Sequence, residues 1–282
     1  MTAPIYGFIK AFLQLTRFWN LVIVGLAQFF TAYFLVGHET IIDWRIYLLA
    51  ASTMTIAAAG YIINDYYDVK IDLINKPERV VIGKAITRRY AIFFHTALSF
   101  AGVAAGLLLG WRIGLINFFS VFLLWLYSNH LKRQPFIGNL SIGVLTALTL
   151  FAVNVLYPPF NSYILIYSLF ALTITLVREI IKDMEDWKGD NTFGCKTLPI
   201  VWGLRKTKNF LYMLLAIFVL SVVLVNELYA GLPILYFVPF LFIPLAYLLV
   251  LLIRSDTIRD FARLSSICKL IMLFGILSMT LV

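Results

Sequence analysis

An apolar stretch that runs directly into acidic residues stands in the first third of the chain, where residues 44–72 read WRIYLLAASTMTIAAAGYIINDYYDVKID. Its first part, residues 44–66, has the length of about 20 residues that an α-helix needs to cross the hydrocarbon core of a bilayer. Asp65, Asp68 and Asp72 follow at spacings of three and four, which places them on one face of a helix. The stretch therefore predicts a membrane helix that ends in a row of carboxylates.

The whole chain has the composition of a membrane protein. Of its 282 residues, 62% are hydrophobic and only 13% are charged, whereas soluble domains carry about 25% charged residues. Apolar stretches of spanning length recur along the sequence, and the boundary at 111–113 is the least marked. We predict an all-α integral membrane protein, a bundle of about nine transmembrane helices around a central cavity, with eight or ten helices as alternatives. The predicted helices are 16–37, 44–66, 90–111, 113–130, 138–157, 161–181, 208–226, 232–253 and 264–282.

A second acidic motif follows the predicted sixth helix, where residues 178–190 read REIIKDMEDWKGD. Asp183, Asp186 and Asp190 repeat the spacing of three and four. Carboxylate oxygens are the hard ligands that Mg²⁺ prefers, and Mg²⁺ keeps part of its coordination for water and phosphate. A single motif of this kind is typical of a solvated helix end, but the matched pair favours Mg²⁺ ions that clamp a diphosphate between two clusters.

The two acidic motifs lie four predicted helices apart, which indicates an internal repeat. We predict a single membrane-embedded domain over 1–282, built from two parallel four-helix pseudo-repeats at about 16–130 and 138–253. A final helix at 264–282 completes it. The first helix follows an amphipathic start and has no small-residue cleavage site after it, so we interpret it as a retained helix.

Basic and polar residues near the motifs could complete a phosphate site. Lys76 and Arg79 flank Pro77, which breaks a helix and could turn both side chains back toward the acids. Arg178 and Lys182 lie one turn apart at the end of the sixth helix, where an arginine near the membrane core is costly unless it has a partner. Ordinary basic residues of cytoplasmic loops are the alternative interpretation for this group. Further candidates are Arg17, Asn20, Tyr127, Lys132 and Arg133.

Lysine and arginine also predict the orientation, because basic loops stay on the cytoplasmic side. Residues 67–90 and 182–208 carry six basic residues each, whereas the opposite loops hold only Arg45 and Arg112. We therefore predict a multi-pass protein of the cell membrane with its N-terminus and both acidic motifs in the cytoplasm and its C-terminus outside. The net charge of +9 would also attract anionic membrane lipids and phosphate substrates. Nucleic acid is not an expected partner, since no soluble binding module is present.

In these motifs the chain resembles the UbiA superfamily of intramembrane prenyltransferases. The NDxxDxxxD pattern of Asn64–Asp72 and the DxxxD pattern of Asp186–Asp190 match its signatures, and Tyr127 with Lys132 and Arg133 matches its loop after the fourth helix. The stretches DxKIDxINKPER and REIIKDxEDxxGD are most similar to the branch that makes digeranylgeranylglyceryl phosphate. The resemblance covers essentially the whole chain.

The resemblance implies Mg²⁺-dependent transfer of a prenyl group, here geranylgeranyl, from a prenyl diphosphate donor to a lipophilic acceptor. In this branch the acceptor is geranylgeranylglyceryl phosphate and the product is an ether lipid. It implies that two sets of residues hold metal and are catalytic: Asn64, Asp68 and Asp72, with Asp65 assisting, and Asp186 and Asp190, with Asp183 assisting.

Two other functions stay open at this point. An aromatic acceptor, such as 1,4-dihydroxy-2-naphthoate or 4-hydroxybenzoate, would use the same metal motifs. A transporter or ion carrier would place ionisable residues near the bilayer midplane, but here the predicted helix middles are almost without carboxylates, which favours an enzyme. The oligomeric state, the acceptor and the donor chain length are not encoded in any motif that we recognise.

Overall fold

The computed structural model describes residues 3–228 and 234–282, and within these ranges the chain is helical and forms no strand. Two π-helical turns, Thr31–Val36 and Val238–Phe242, extend α2 and join α10 to α11. The helices are α1 (Ala3–Leu15), α2 (Phe18–Phe30), α3 (Trp44–Asn75), α4 (Arg88–Leu109), α5 (Trp111–Asn129), α6 (Ile137–Leu156), α7 (Ser162–Glu185), α8 (Trp187–Thr192), α9 (Leu198–Leu228), α10 (Ile234–Phe237), α11 (Ile243–Arg254) and α12 (Ile258–Ser278).

Nine helical segments in the described ranges are long and apolar enough to cross a membrane, which confirms the predicted count. They are α2 with its π-helical turn, α3 to α7, α9, the joined α10 and α11, and α12 with the turn after it. Residues 232 and 233, the predicted start of the eighth helix, lie outside the described residues. The division into two four-helix pseudo-repeats stays a prediction.

Several helices end elsewhere than predicted. α3 runs to Asn75 rather than stopping at 66, so the first acidic row lies on the membrane helix itself. α9 begins ten residues early, at Leu198, and contains a break at Gly203. The boundary between the third and fourth membrane helices, predicted at 111–113, is the single residue Gly110. Its φ of 134° is accessible mainly to glycine.

The two helices that carry the acidic motifs are the innermost of the bundle. In the most apolar window of α3 and of α7, 56% of the residues are buried inside the protein, against 17% in α4. α3 packs against α2, α4 and α5, and α7 packs against α6, α9 and α12. The central pair of helices therefore brings both acidic motifs, the second partly on the segment after α7, to one end of the bundle.

Small residues and buried amides hold the first helices together. Asn117 of α5 donates from Nδ2 to the carbonyl oxygen of Gly102 on α4 at 2.9 Å and to Oγ of Ser52 on α3 at 3.3 Å. Gly106 lies against the same amide, and a Cβ added there would lie 2.3 Å from Asn117 Nδ2. Such close approach at small residues, with polar side chains bonded across helices, is how membrane helices associate without a hydrophobic driving force.

A cavity of about 370 Å³ lies between the helices, as the sequence predicted for the centre of the bundle. It is lined by side chains of α2, α3, α5, α6, α7, α9, α10 and α12. One end holds polar residues such as Asn64 of α3 and Arg178 and Lys182 of α7, and apolar residues such as Leu150 and Met279 line the rest of the cavity. The cavity is long and mostly apolar, with its polar end beside the acidic motifs.

Replacing Gly106 with leucine should destabilise the bundle. The new side chain overlaps Asn117 and breaks its hydrogen bonds, and overpacking of this kind costs about 1–3 kcal/mol. We expect a lower apparent melting temperature in detergent, measured by loss of monodisperse protein on heating. Gly7→Leu is the matched control, because an added Cβ at Gly7 meets nothing within 4 Å. Equal melting temperatures for the two variants would contradict this account of the packing.

Candidate functional site

Arg17 connects the segment between α1 and α2 to the acidic row of α3. It lies between α1 and α2 with a φ of 51°, a left-handed conformation that is uncommon for a residue other than glycine. Its Nη2 donates to Oδ1 of Asp65 at 2.9 Å, and its guanidinium lies 4.9 Å from the ring centre of Tyr61. Asn20 donates from Nδ2 to the Tyr61 hydroxyl at 3.4 Å. Both predicted residues, Arg17 and Asn20, are thus brought to the acidic end of α3.

Lys132 supplies the positive charge among the carboxylates. It follows α5 in a short 3-10 turn, and its Nζ forms a short ion pair with Oδ2 of Asp68 and lies 3.5 Å from Oδ1 of Asn64. The carboxylates that act on it most strongly, Asp68, Asp190 and Asp72, belong to both motifs. Burial lowers the pKa of the Lys132 ammonium, but the charges of Asp68, Asp190 and Asp72 and the hydrogen bond to Asp68 together outweigh burial and leave the pKa above its ordinary value. The two acidic motifs therefore face a common cation.

Lys76 makes the corresponding contact on the other side. Pro77 starts a 3-10 turn immediately after α3, and Lys76 turns back so that its Nζ lies 2.7 Å from Oε1 of Glu185 and 2.8 Å from Oδ1 of Asp186. Asp190 is buried nearby, and burial together with the charge of Asp186 raises the pKa of Asp190 to about 7. The second motif is thus tied by a lysine to the helix that carries the first.

Asn75, the last residue of α3, fixes the position of α8. Its Nδ2 donates to the carbonyl oxygen of Asp186 at 3.1 Å, and its Oδ1 accepts from the backbone N–H of Gly189 at 2.8 Å. A Cβ on Gly189 would lie 2.5 Å from the Asn75 amide, so only glycine permits this approach. Asn75 therefore acts as a clamp between the two motifs.

The second motif does not form one helical row, although its residues repeat the sequence spacing of the first motif. α7 ends at Glu185, Asp186 leaves the helix with φ −89° and ψ 5°, and Asp190 lies on the separate helix α8. Asp183 remains on α7, where its Oδ2 accepts from Nδ2 of Asn139 at 2.7 Å. The break lets α8 turn onto the end of α3, which a continuous helix could not reach.

A second charged group lies further down α7, on the cavity wall. Arg178 Nη1 donates to Oε1 of the buried Glu179 at 2.5 Å, and Lys182 Nζ lies 3.9 Å from the other oxygen of that carboxylate. Tyr127 and Asn64 line the same end of the cavity. The structure therefore places Arg178 and Lys182, with Tyr127, where a ligand in the cavity would meet them.

Arg79 and Arg133 are not brought to the acids. The Arg79 side chain is 72% exposed and has Glu78 as its ion-pair partner at 3.9 Å, so of the two residues that flank Pro77 only Lys76 turns back. Arg133 is exposed, and its bond to the neighbouring segment uses its carbonyl oxygen, which accepts from the N–H of Lys196. Neither side chain lines the cavity.

Sequence reasoning missed four residues of this site. Asn75 and Glu185 lie inside the quoted motifs, and Glu179 lies beside Arg178, but no periodicity marks them. Lys269 is the only lysine inside an otherwise uncharged stretch, residues 264–282, and that isolation in an apolar helix was the available signal.

Oxygen donors at the acidic end fit a hard divalent cation. Among the described residues no three His, Cys, Asp or Glu side chains lie close enough to share a metal ion, and the ammonium groups of Lys132 and Lys76 lie among the acids. The buried Oδ1 of Asp68 has no hydrogen-bond partner in the same ranges, and an unsatisfied carboxylate oxygen is a ready ligand. The carboxylates together with the amide oxygen of Asn64 form the hard donor set that Mg²⁺ prefers.

Replacing Asn75 with alanine should loosen α8 from α3. The change removes two hydrogen bonds and leaves partners unsatisfied, at a cost of about 1–3 kcal/mol for each buried group. We expect faster amide hydrogen exchange in the peptide that covers residues 186–195, measured by mass spectrometry.

The matched control is Asn154→Ala at the opposite end of the bundle. Asn154 also forms two bonds, one to the carbonyl oxygen and one from the N–H of Asn161. It should leave exchange in residues 186–195 unchanged. Equal exchange of that peptide in Asn75→Ala and in the unmodified protein would show that Asn75 is no clamp.

Known proteins match this chain along nearly its whole length. The model of the UbiA prenyltransferase family matches residues 25–274. Digeranylgeranylglyceryl phosphate synthase of Saccharolobus solfataricus is 30% identical over 276 residues, which cover 97% of this chain and 96% of that protein. The synthase of the same name from Pyrococcus horikoshii is 36% identical over 201 residues, or 70% of this chain and 71% of that protein.

Solved structures share the fold. A structure of digeranylgeranylglyceryl phosphate synthase superposes with a TM-score of 0.74 at 26% identity and covers 97% of both chains. A UbiA homologue of Archaeoglobus fulgidus, bound to GPP and Mg²⁺, gives a TM-score of 0.70 at 17% identity over 96% of this chain and 99% of that one. Because the family model spans most of the sequence and a full-length relative is 30% identical, this multi-pass membrane protein belongs to the UbiA prenyltransferase family.

Proposed function

We propose that this chain is a digeranylgeranylglyceryl phosphate synthase, which transfers the geranylgeranyl group of geranylgeranyl diphosphate to geranylgeranylglyceryl phosphate. The observation that carries the proposal is the joining of two acidic motifs, through Lys132 and Lys76, at the polar end of a long apolar cavity. The full-length relative of that name supports the choice of acceptor. Because the chain belongs to a family of prenyltransferases, we do not retain the transporter as an alternative.

The diphosphate of the donor would bind at the acidic end. When bound, Mg²⁺ neutralises the charge that develops on a leaving diphosphate, and the A. fulgidus homologue, which binds GPP and Mg²⁺, supports its use here. Lys132 and Lys76 carry ammonium groups at the same place and can donate to diphosphate oxygens. The residues that would hold the metal are Asn64, Asp65, Asp68 and Asp72 of the first motif and Asp183, Asp186 and Asp190 of the second.

The cavity would hold the prenyl chain and protect the reacting carbon from water. The bond between C1 of the donor and the diphosphate oxygen breaks, and the electron pair leaves with the diphosphate. The hydroxyl oxygen of the acceptor forms the new bond to C1, and its proton passes to the released diphosphate. Tyr61 and Tyr127 line the polar end of the cavity, where their ring faces can stabilise the positive charge of an allylic carbon.

The function is tested with purified protein in detergent, Mg²⁺ and radiolabelled geranylgeranyl diphosphate. Geranylgeranylglyceryl phosphate and 1,4-dihydroxy-2-naphthoate are supplied in separate reactions. We expect labelled lipid with the glyceryl phosphate alone, and EDTA should abolish it. Product with the naphthoate alone would contradict the proposed acceptor and assign the aromatic alternative instead.

In the same assay, Asp68→Ala and Asp186→Ala should each lower turnover by at least about 100-fold, the size of effect seen when a group that stabilises developing charge is removed. Asp256→Ala is the control, since this carboxylate is 82% exposed, pairs with Lys208 and lies outside the cavity. All three variants should elute as monodisperse protein. Full activity in a purified Asp68 or Asp186 variant would contradict the metal assignment.

We also propose that the acidic end faces the cytoplasm of the cell in whose membrane the protein lies, with the C-terminus outside. The basic residues after α3, α5 and α7 support this orientation, because basic loops stay inside. The native cysteines are both buried, so introduced cysteines can report it. In intact cells an impermeant maleimide should label Glu39→Cys, before α3, and should label Glu78→Cys, after α3, only once the cells are lysed. The reverse labelling pattern would show that the protein has the opposite orientation in the membrane.

A further inference from the structure

Lys269 is a charged group in the middle of the last membrane helix. It is the twelfth of the 21 residues of α12, about 16 Å from the start of the helix at 1.5 Å per residue. Its side chain lines the cavity. An ammonium group at such a depth is costly to a membrane protein, and ionisable residues placed there face a cavity and mark a functional site.

The surroundings of Lys269 contain no carboxylate that neutralises it. Within residues 3–228 and 234–282 its Nζ forms no hydrogen bond and no ion pair. The charged groups that act on it most strongly are all cationic: Arg178, Lys182, Arg79 and Arg17. Like charges held together in this way repel one another, so the arrangement favours an anionic ligand among them.

The charged side chains on the cavity wall indicate the charge of the anion that would bind there. Four cationic side chains line the cavity, whereas Glu179 is the one carboxylate among the described lining residues. Arg17 is matched by Asp65 and Arg178 by Oε1 of Glu179, and Lys182 lies 3.9 Å from Oε2 of the same carboxylate. Two ammonium charges, those of Lys182 and Lys269, are left without a carboxylate of their own.

Arg178 adds a hydrogen-bond donor to this group. Its Nε is buried and has no partner among the described residues, although its Nη1 is bonded to Glu179. Arginine presents several donors in a planar fork that matches phosphate oxygens. Two unmatched ammonium charges and one spare guanidinium donor fit a phosphate monoester, which carries a charge of about −2 near neutral pH.

This group lies further along α7 than the acidic end where the donor would bind, although Asn64 of that end also lines the cavity. None of Asp68, Asp72, Asp186 and Asp190 lines the cavity. Arg178 lies seven residues before the end of α7, about 10 Å down the helix. The chain thus offers two anion sites of different chemistry: carboxylates suited to a metal-bound diphosphate, and below them a group in which cations outnumber the single carboxylate, Glu179.

We propose that Lys269, together with Lys182 and Arg178, binds the phosphate group of the lipid acceptor and so selects an acceptor that carries a phosphate. This inference rests on the proposed function, and it adds a specificity residue from α12 to a site otherwise built from α3, α5, α7 and α8. A phosphate at this position would satisfy both ammonium groups and the spare guanidinium donor.

The test is Lys269→Met, which keeps the length of the side chain and removes its charge. With geranylgeranyl diphosphate saturating, we expect the KM for geranylgeranylglyceryl phosphate to rise about tenfold to a hundredfold, as for the loss of a hydrogen bond to a charged group. The KM for the diphosphate should change less than about twofold. Lys269→Arg should retain most of the affinity for the acceptor, because it keeps the charge.

Lys206→Met is the matched control, since Lys206 is exposed on α9 and lies outside the cavity. It should leave both KM values unchanged. A second acceptor, geranylgeranylglycerol, lacks the phosphate, and Lys269→Met should lose most of the preference of the unmodified protein for the phosphorylated lipid.

Binding is measured as well, by the thermal shift that geranylgeranylglyceryl phosphate produces in the presence of EDTA and without the donor. We expect a shift for the unmodified protein and a smaller one for folded Lys269→Met; if that variant does not fold, Lys269→Gln and Lys182→Met replace it. A raised KM for the diphosphate with an unchanged KM for the acceptor would overturn the inference and assign Lys269 to the donor. Unchanged acceptor binding by a catalytically active Lys269→Met variant would also overturn the inference. If the unmodified protein makes no product from geranylgeranylglyceryl phosphate, the proposed function is overturned instead.

Discussion

Carboxylates buried at the end of a membrane bundle must be matched by positive charge, because water is largely excluded there and an unpaired ion is expensive. Much of the architecture of this protein follows from that constraint. Asp68 is paired with Lys132, Asp186 with Lys76, and Asp65 with Arg17. Each of these cations comes from the short segment before or after a membrane helix, so charge pairing also fixes how those segments fold back over the bundle.

The same pairing explains why α3 and α7 are the central helices. Only helices surrounded by others can present carboxylates to cations that arrive from several directions, and both have the most buried apolar windows of the nine spans in the described ranges. Hydrogen bonds of neutral amide side chains also join segments of the chain at both ends of the bundle, through Asn75 at the acidic end and Asn154 at the other. The charged residues proposed to bind substrate thus lie toward one end of the bundle, and the apolar part of the cavity extends toward the opposite end.

The sequence was sufficient to predict what depends on local pattern. Nine spans follow from apolar length, and the acidic row of α3 follows from a spacing of three and four on one helix. The break at Asp186 could not be predicted in that way, because it is fixed by a contact between Gly189 and Asn75, over 100 residues apart in the chain. Lys76 and Arg79 flank the same proline, yet only Lys76 reaches the carboxylates of the second motif, whereas Arg79 pairs with the exposed Glu78. Lys269 could not be assigned a role from sequence spacing, because only the packing of α12 against α7 brings it to the same cavity wall as Arg178 and Lys182.

The junction of α4 and α5 bears on how the protein enters the membrane. The two helices are joined by Gly110 alone, with φ 134° and ψ 157°, and the guanidinium of Arg112 lies over the ring of Trp111 directly after it. No polar loop therefore needs to be carried across the bilayer between these spans. If the acidic end faces the cytoplasm, as proposed, insertion of the third and fourth spans together as a helical hairpin would move a single guanidinium, that of Arg112 beside Trp111, across the lipid. A residue with a Cβ at position 110 would strain the junction of that hairpin.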